Sequence, residues 1–454
     1  MRKAYEEYKA TGIQWLPKIP KHWEILKLRQ ILSSFSEKNH PDMPLLSVVR
    51  EKGVIIRNTE NTDKNHNYIP DDLTNYRLVK TGQFAMNKMK AWQGSYGVSD
   101  HDGIVSPAYF VFSFAIDIDK HFFNTAIRSK SYVSFFGQAS DGIRVGQWDL
   151  SMARMKYIPF YVPPRDEQEQ IVRFLDWKVS SINRLINLKQ QEIAELKELK
   201  KTTISDAVTH GLDKTVTMKD SGITWLGNIP KHWDLSFLFQ IASEKKVKKP
   251  KNAMFPVMSL SYGRIIKKKN INSGLVPNNY DNYQIISRGD IILRFTDLQN
   301  DHTSLRTGLV TEKGIITSAY TNIKPRTNSG FLAYLLHSYD ELKIFYGLGG
   351  GVRQSIGFKD VRYLQLPIPP REEQEQIVRF LDAHCAEIDR LIDANQAQIT
   401  NLHDLKSRLI ADVVTGQIDV RDVKIPNYEQ DAEPSYEANA DTTLQSEDEI
   451  PEEV

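Results

Sequence analysis

Two stretches of the chain carry side chains suited to gripping a polyanion. MNKMKAWQGSYG, Met86 to Gly97, sets Lys88 and Lys90 beside Asn87, Trp92, Gln93, Ser95 and Tyr96, in a loop between strand-like segments. Ammonium groups neutralise phosphates, amide side chains match paired groups on base edges, and aromatic faces pack on sugars or bases. RFTDLQNDHTSLRTG, Arg294 to Gly308, offers Arg294, Thr296, Asp297, Gln299, Asn300 and Arg306 at the corresponding place. Different side chains at equivalent places are what two readers of two unlike sequences need. Arg144 and Arg353 close the triplets Gly-Ile-Arg and Gly-Val-Arg, each expected to follow a glycine turn. The lysine runs Lys245, Lys246, Lys248, Lys249 and Lys267 to Lys269 suit phosphate contact or a solvated face equally well.

Convergent catalytic groups are missing beside this binding equipment. FYGLGGG, Phe345 to Gly351, has the Phe-x-Gly-x-Gly spacing of an S-adenosylmethionine loop, but it follows helical rather than strand pattern. Its counterpart FFGQASDG, Phe135 to Gly142, lacks the second glycine, so both read as plain glycine turns. No Asn-Pro-Pro-Tyr or Asp-Pro-Pro-Tyr tetrapeptide and no GxxxxGK[ST] phosphate loop occurs, and Pro41-Asp42 and Pro70-Asp71 lack a following acidic-x-Lys. His66, His101 and His302 stand without ligand spacing, and one cysteine, Cys385, excludes a disulfide framework or a multi-thiolate zinc site.

Net charge is +2, yet the stretch from Asn427 to Val454 holds ten acidic residues and no basic one. The remainder therefore sets 59 basic against 47 acidic residues, a surplus of +12 that favours a polyanionic partner. The acidic end reads as a disordered extension. With no signal-like N-terminus and no run of eighteen apolar residues, a cytoplasmic protein without a membrane partner is expected.

The elements that must position the two loops are written twice. PPRDEQEQIVRFLD, Pro163 to Asp176, returns as PPREEQEQIVRFLD, Pro369 to Asp382, with thirteen of fourteen positions identical. Behind each copy, apolar residues recur at alternating steps of three and four: Ile171, Leu175, Ile182, Ile186, Ile193 and Leu196, then Ile377, Leu381, Ile388, Ile392, Ile399 and Leu402. That spacing predicts two long helices packed as an antiparallel coiled coil, each about 60 Å long over some forty residues. The acids in their first turns, Asp166, Glu167, Glu372 and Glu373, complement the helix dipole. TGIQWLPKIPKHWE, Thr11 to Glu24, likewise returns as SGITWLGNIPKHWD, Ser221 to Asp234. Duplicate openings and closings make the chain one unit written twice, with a pseudo-twofold between the copies. Each middle reads as a mixed domain of short strands with a helix, near 122–136 and 331–345, and the first ten residues suit a short amphipathic helix. The overall class is α+β.

SGITWLGNIPKHW, GIVSPAY with its echo GIITSAY, PPREEQEQIVRFLD and LIADVVTGQIDV together resemble the specificity subunit of type I restriction-modification enzymes. The similarity spans nearly all of residues 11–422. It implies an N-terminal segment 1–17, target-recognition domain 18–162, helical spacer 163–211, connector 212–227, second target-recognition domain 228–368, second spacer 369–420 and an acidic tail 421–454. It further implies that each domain reads half of a split site in double-stranded DNA; because the two middles differ, that site is expected to be asymmetric, and the length and stacking of the spacers are expected to fix its gap. Two methyltransferase subunits, carrying S-adenosylmethionine, would dock on the helices, and two restriction-translocase subunits would complete the complex. The chain itself would be non-catalytic. A self-contained DNA methyltransferase and a helical scaffold with no DNA role are the competing readings.

Overall fold

Pro163-Pro164 and Pro369-Pro370 lack amide hydrogens, and the residue after each pair starts a long helix, Arg165–His210 and Arg371–Val414. The computed structural model describes residues 3–58, 69–144, 147–250, 254–268, 280, 282–296, 305–348 and 356–429. By internal contacts the chain divides into two units: residues up to Gln190 with those from Ala397 onward, and Gln191 to Gln396. The first unit thus contains the start of the first long helix and the end of the second, and the second unit contains the converse.

Within the first unit, Ile171, Phe174 and Leu175 share a core with Val413 and Val414, and Lys406 donates to Asn183 Oδ1 at 3.1 Å. Within the second, Ile204, Ala207 and Val208 share a core with Ile377, Leu381 and Cys385, and Lys200 pairs with Asp389 at 2.7 Å. In both, the start of one helix meets the end of the other, so the pair is antiparallel as its sequence predicts. Ile171, Leu175, Ile182, Ile186, Ile193, Ile377, Leu381, Ile388 and Ile399 are buried, while Leu196, Ile392 and Leu402 are half-buried.

The recurring motifs meet at one junction per unit. In the first, Glu167 accepts hydrogen bonds from the Tyr5 hydroxyl and from Trp23 Nε1 (3.0 Å), and its second oxygen lies 2.8 Å from His22 Nε2. In the second, Glu373 meets Trp233 Nε1 at 3.1 Å and His232 Nε2 at 2.8 Å. The neighbouring glutamines tie each domain's helix cap to the spacer. Gln168 bridges the Pro163 carbonyl and the Asp119 amide, and Gln374 bridges the Pro369 carbonyl and the Asn328 amide. Asp119 and Asn328 cap the helices Lys120–Ile127 and Ser329–Glu341. Glycines in the left-handed region end both long helices against the same motif. Gly416 (φ +70°) sits on Pro20 and Trp23, and Gly211 (φ +76°) on Trp233 and Glu373. The PKHW and PPR repeats therefore recur because they touch each other, and the first-turn glutamates do more than oppose a dipole.

Each unit hangs its candidate loop on a sheet, antiparallel in the first unit and mixed in the second, whose alternation serves two cores. In the first the strand order is Leu32–Phe35, Tyr109–Phe114, Phe84–Asn87, Tyr96–Val98. Phe84, Met86 and Phe112 join the larger core, whereas Ala85 and Val111 join a smaller one with Leu46, Val48, Val54, Val79 and Val105. The second unit has six strands, ordered Ala242–Glu244, Thr321–Pro325, Ile291–Leu293, Thr307–Leu309, Arg264–Lys267, Met258–Ser261. There Ile291 and Leu293 face one core and Ile292 the other.

Three local expectations are corrected. Residues Tyr8–Ile13 form a strand paired with Leu16–Pro20, not an N-terminal helix, because Tyr5 is drawn into the Glu167 junction and the chain beyond it into a hairpin. Gly142 to Arg144 lies in the strand Ser140–Arg144, paired with Gln147–Leu150, where Gly142 gives Trp148 room; an added Cβ would stand 2.7 Å from the indole. The single helix expected near 122–136 is two, Lys120–Ile127 and Lys130–Gln138.

Candidate nucleic-acid interface

The strand Phe84–Asn87 delivers the first loop, and Asn87 shapes its start: its Oδ1 accepts from the Met89 amide (3.1 Å) and its Nδ2 donates to Tyr109 Oη (3.3 Å). A single 3-10 turn, Ala91–Gln93, follows, closed by Gly94 at φ +96°. Lys88 pairs with Asp149 at 3.0 Å, both ends open to water, an ion pair worth little by itself and easily exchanged for a phosphate. Lys90 and Met89 are exposed. The half-buried Trp92 stacks on Trp148 with centroids 5.5 Å apart and planes at 29°. Gln93 is half-buried beside it. Lys88, Lys90, Trp92 and the strand Gln147–Leu150 thus form one surface, with cations flanking a pair of indoles.

Two residues assigned to that surface from sequence lie beneath it. Tyr96 is fully buried, its ring 4.4 Å from Phe136, and burial pushes its hydroxyl far above the ordinary tyrosine range. Ser95 is 3% exposed, its amide and carbonyl bonded to Lys90 and Asn87. Both shape the loop from within, Ser95 through its backbone bonds to Asn87 and Lys90 and Tyr96 through its ring in the larger core. The backbone of Arg144 belongs to a described strand; its side chain is outside the described residues.

In the second unit the loop begins at Arg294, half-buried, whose amide donates to the Arg306 carbonyl at 2.8 Å. Arg306 is the largest correction. It is 0% exposed, with Nε on Tyr346 Oη (3.1 Å) and Nη1 on the carbonyls of Arg294 (3.3 Å) and Thr296 (2.8 Å). Its amide donates to the Asp340 carboxylate. The guanidinium is a clamp that holds the two ends of the loop together, because a buried arginine must spend its donors on nearby carbonyls. Thr296 is half-buried. Asp297, Gln299, Asn300 and Arg353 lie outside the described residues.

Sequence reasoning missed Trp148 and Asp149, which complete the first surface from a strand distant in the chain. It also missed Glu167, Gln168, Glu373 and Gln374 as the parts that hold the domains to the helices. The identity of the two PPR segments was the signal for the latter. Among the described residues no cluster of His, Cys, Asp or Glu could hold a metal ion, and no helix is long and apolar enough to cross a membrane.

Comparisons with known proteins bear on the whole chain. The model of the type I restriction modification DNA specificity domain matches twice, over residues 20–198 and 231–401. A Methanocaldococcus jannaschii protein provisionally named the type I restriction enzyme MjaX specificity subunit is 24% identical over 442 residues, covering 92% of this chain and 97% of its own. The MjaVIII specificity subunit of the same organism is 22% identical over 308 residues, covering 64% and 68%. A solved structure from work on complex assembly and conformational transition of the type I R-M system superposes with TM-score 0.63 at 15% identity, covering 88% of this chain and 99% of that one. The twofold match and the duplicated junction coincide: the chain belongs to the type I restriction-modification DNA specificity family and carries its domain twice.

Proposed function

We propose that this specificity subunit reads an asymmetric, bipartite site in double-stranded DNA, one part through each unit, and catalyses nothing itself. The observation that carries the reading is a repeated frame with unlike loops. The junctions of Glu167 and Glu373 share the same histidine and tryptophan partners, whereas the loop that carries Lys88, Lys90 and Trp92 in the first unit begins with Arg294 and Thr296 in the second. A common frame with different contact sets suits one task performed on two base sequences.

The long helices would dock two methyltransferase subunits, which bring S-adenosylmethionine, and two restriction-translocase subunits would join the full complex. Exposed leucines at equivalent places support a partner on these helices. Leu185 (49% exposed) corresponds to Leu391 (43%), and Leu199 (54%) to Leu405 (38%). Gap length would then belong to the helices and base identity to the loops. The test is methylome sequencing in a host expressing the chain with its methyltransferase partner, before and after insertion of two helical turns near Leu199 and a matching insertion near Leu405. A longer gap between unchanged half-sites is expected; changed half-sites across an unchanged gap would refute it.

A further inference from the structure

An exposed tyrosine with cationic side chains beside it recurs at the equivalent place in both units, with a cluster of cations in the first and a single one in the second, and the candidate loops do not use it. In the first unit the strand Glu24–Lys27 enters one helical turn, Leu28–Ile31, beside the segment that leads from the turn Met152–Met155 into the strand Pro159–Val162. Backbone bonds from Leu28 to Ile158 (3.0 Å) and from Arg29 to Lys156 (3.2 Å) fix the two segments together. Tyr157, 56% exposed, stands between them, with Lys27 Nζ 5.1 Å and Arg29 Cζ 4.9 Å from its ring centroid. Lys27, Arg29 and Lys156 are all exposed, and among the described residues none is paired with a carboxylate. The second unit repeats the scaffold, with bonds from Leu238 to Leu364 (2.9 Å) and Phe239 to Arg362 (3.0 Å), and Tyr363 62% exposed. Its side chains differ: one cation, Arg362, lies 4.9 Å from Tyr363 and 5.4 Å from Phe239, and Phe237 stacks on Phe239 at 5.7 Å.

Two uncompensated cations on one ring, with a third on the neighbouring residue, repel one another, and a polyanion is the ligand that relieves them. The place is also continuous with the candidate loop. Leu150 donates to the Lys88 carbonyl at 3.1 Å, and from Leu150 a single helical turn leads to Lys156. A cavity of about 450 Å³ lies alongside, lined among others by Arg29, Ser33, Ser34, Met152, Lys156 and Tyr157, so two hydroxyls stand beside the cations. We infer that Lys27 and Arg29, on the Tyr157 ring, together with the neighbouring Lys156 are a second grip of the first unit on DNA, one that takes backbone phosphates and positions the duplex rather than reading bases. The equivalent place in the second unit offers one charge and an aromatic face, and contributes a single phosphate contact. This inference rests on the DNA-reading function proposed above and assigns part of its affinity to a named surface.

The experiment measures affinity of the full chain, purified with its methyltransferase partner, for a fluorescent mixed-sequence duplex across a salt series. Each phosphate contact contributes about 0.9 to the slope of log affinity on log salt, so K27Q/R29Q/K156Q should lower that slope by about 2.7. Over a fourfold rise in salt the wild type should then lose about 40-fold more affinity than the triple variant. R362Q should lower the slope by about 0.9, and R29K/K156R should leave it unchanged. A steep wild-type slope that the triple variant fully retains would overturn this inference while leaving the DNA-reading function standing. A wild-type complex that binds no duplex would take both down. Loss of co-elution with the methyltransferase in the triple variant would assign the surface to that partner instead, and would also overturn it.

Discussion

Replacing Glu167 with alanine should loosen the first unit more than Glu373→Ala loosens the second, although the two glutamates occupy the same place in motifs that differ at one position. Glu167 has a 5% exposed side chain and satisfies two buried donors, the Tyr5 hydroxyl and Trp23 Nε1, plus the half-open His22. Glu373, 23% exposed, meets one buried donor, Trp233 Nε1, and His232, whose side chain is 45% exposed. A buried donor left without a partner costs about 1–3 kcal/mol, whereas the histidines can turn to water. Losing the first-turn charge adds about 0.3–1 kcal/mol in each case. The sums are about 2–7 kcal/mol for Glu167→Ala and about 1–4 kcal/mol for Glu373→Ala, and the difference is the tyrosine. Because two units need not unfold as one transition, the assay is hydrogen exchange read by mass spectrometry, which reports opening of each junction separately. A double-mutant cycle of Tyr5→Phe with Glu167→Ala isolates the tyrosine's share, expected at about 1.5–3 kcal/mol for a hydrogen bond to a charged acceptor. Equal loosening by the two alanine variants, or a coupling near zero, would refute the reasoning.

Two further outcomes follow from the same geometry. Gly416 and Gly12 both have positive φ, +70° and +76°, but an added Cβ would stand 2.3 Å from Pro20 at Gly416 and meets nothing within 4 Å at Gly12. Gly12→Ala should therefore cost about 1–2 kcal/mol from backbone strain, and Gly416→Ala about 1–3 kcal/mol more from overpacking, measured as urea midpoints by tryptophan fluorescence. Burial pushes the Asp340 carboxyl up to about 6, against an ordinary value of 3.8. The folded chain then holds a proton that the unfolded chain releases, so stability falls as pH rises between about 4 and 6, by up to about 3 kcal/mol. Asp340→Asn, which keeps an acceptor for the Arg306 amide, should flatten that part of the profile; an unchanged profile would show that the carboxyl titrates normally.

The frame of the molecule is legible in the sequence because it rests on repetition and periodicity. The stripe from Ile171 to Ile193 and its copy from Ile377 to Ile399 can be buried in only one way, and the helix ends follow from the proline pairs and from Gly211 and Gly416. The loops are less legible because residue type does not reveal which way a side chain points. Arg306 has the chemistry of a phosphate ligand, yet it is spent on two carbonyls and a tyrosine. Tyr96 has the chemistry of a stacking platform, yet its ring lies in the larger core, and the indole that does stack on Trp92 comes from residue 148. Long-range closure of this kind leaves no local signature. The N-terminal hairpin escaped for the same reason, since Tyr5 is held by a glutamate 162 positions away.

The composition of the units has a consequence for how the chain can be divided. The first unit's core is completed by Val413, Val414, Ile418 and Val420 from the far end of the polypeptide, and Asp419 bonds through its amide to the Lys3 carbonyl. The second unit's core is completed by Ile204, Ala207 and Val208, which belong to the first written copy. Each copy therefore lends the tail of its helix to the other's domain, a swap carried out inside one molecule. A chain cut after the first copy would expose the bed where Val413 and Val414 should lie, while its own Ile204 and Val208 would protrude unclaimed. Such a fragment is self-complementary: its surplus segment fits the vacancy on a second fragment, and its soluble form should be the pair.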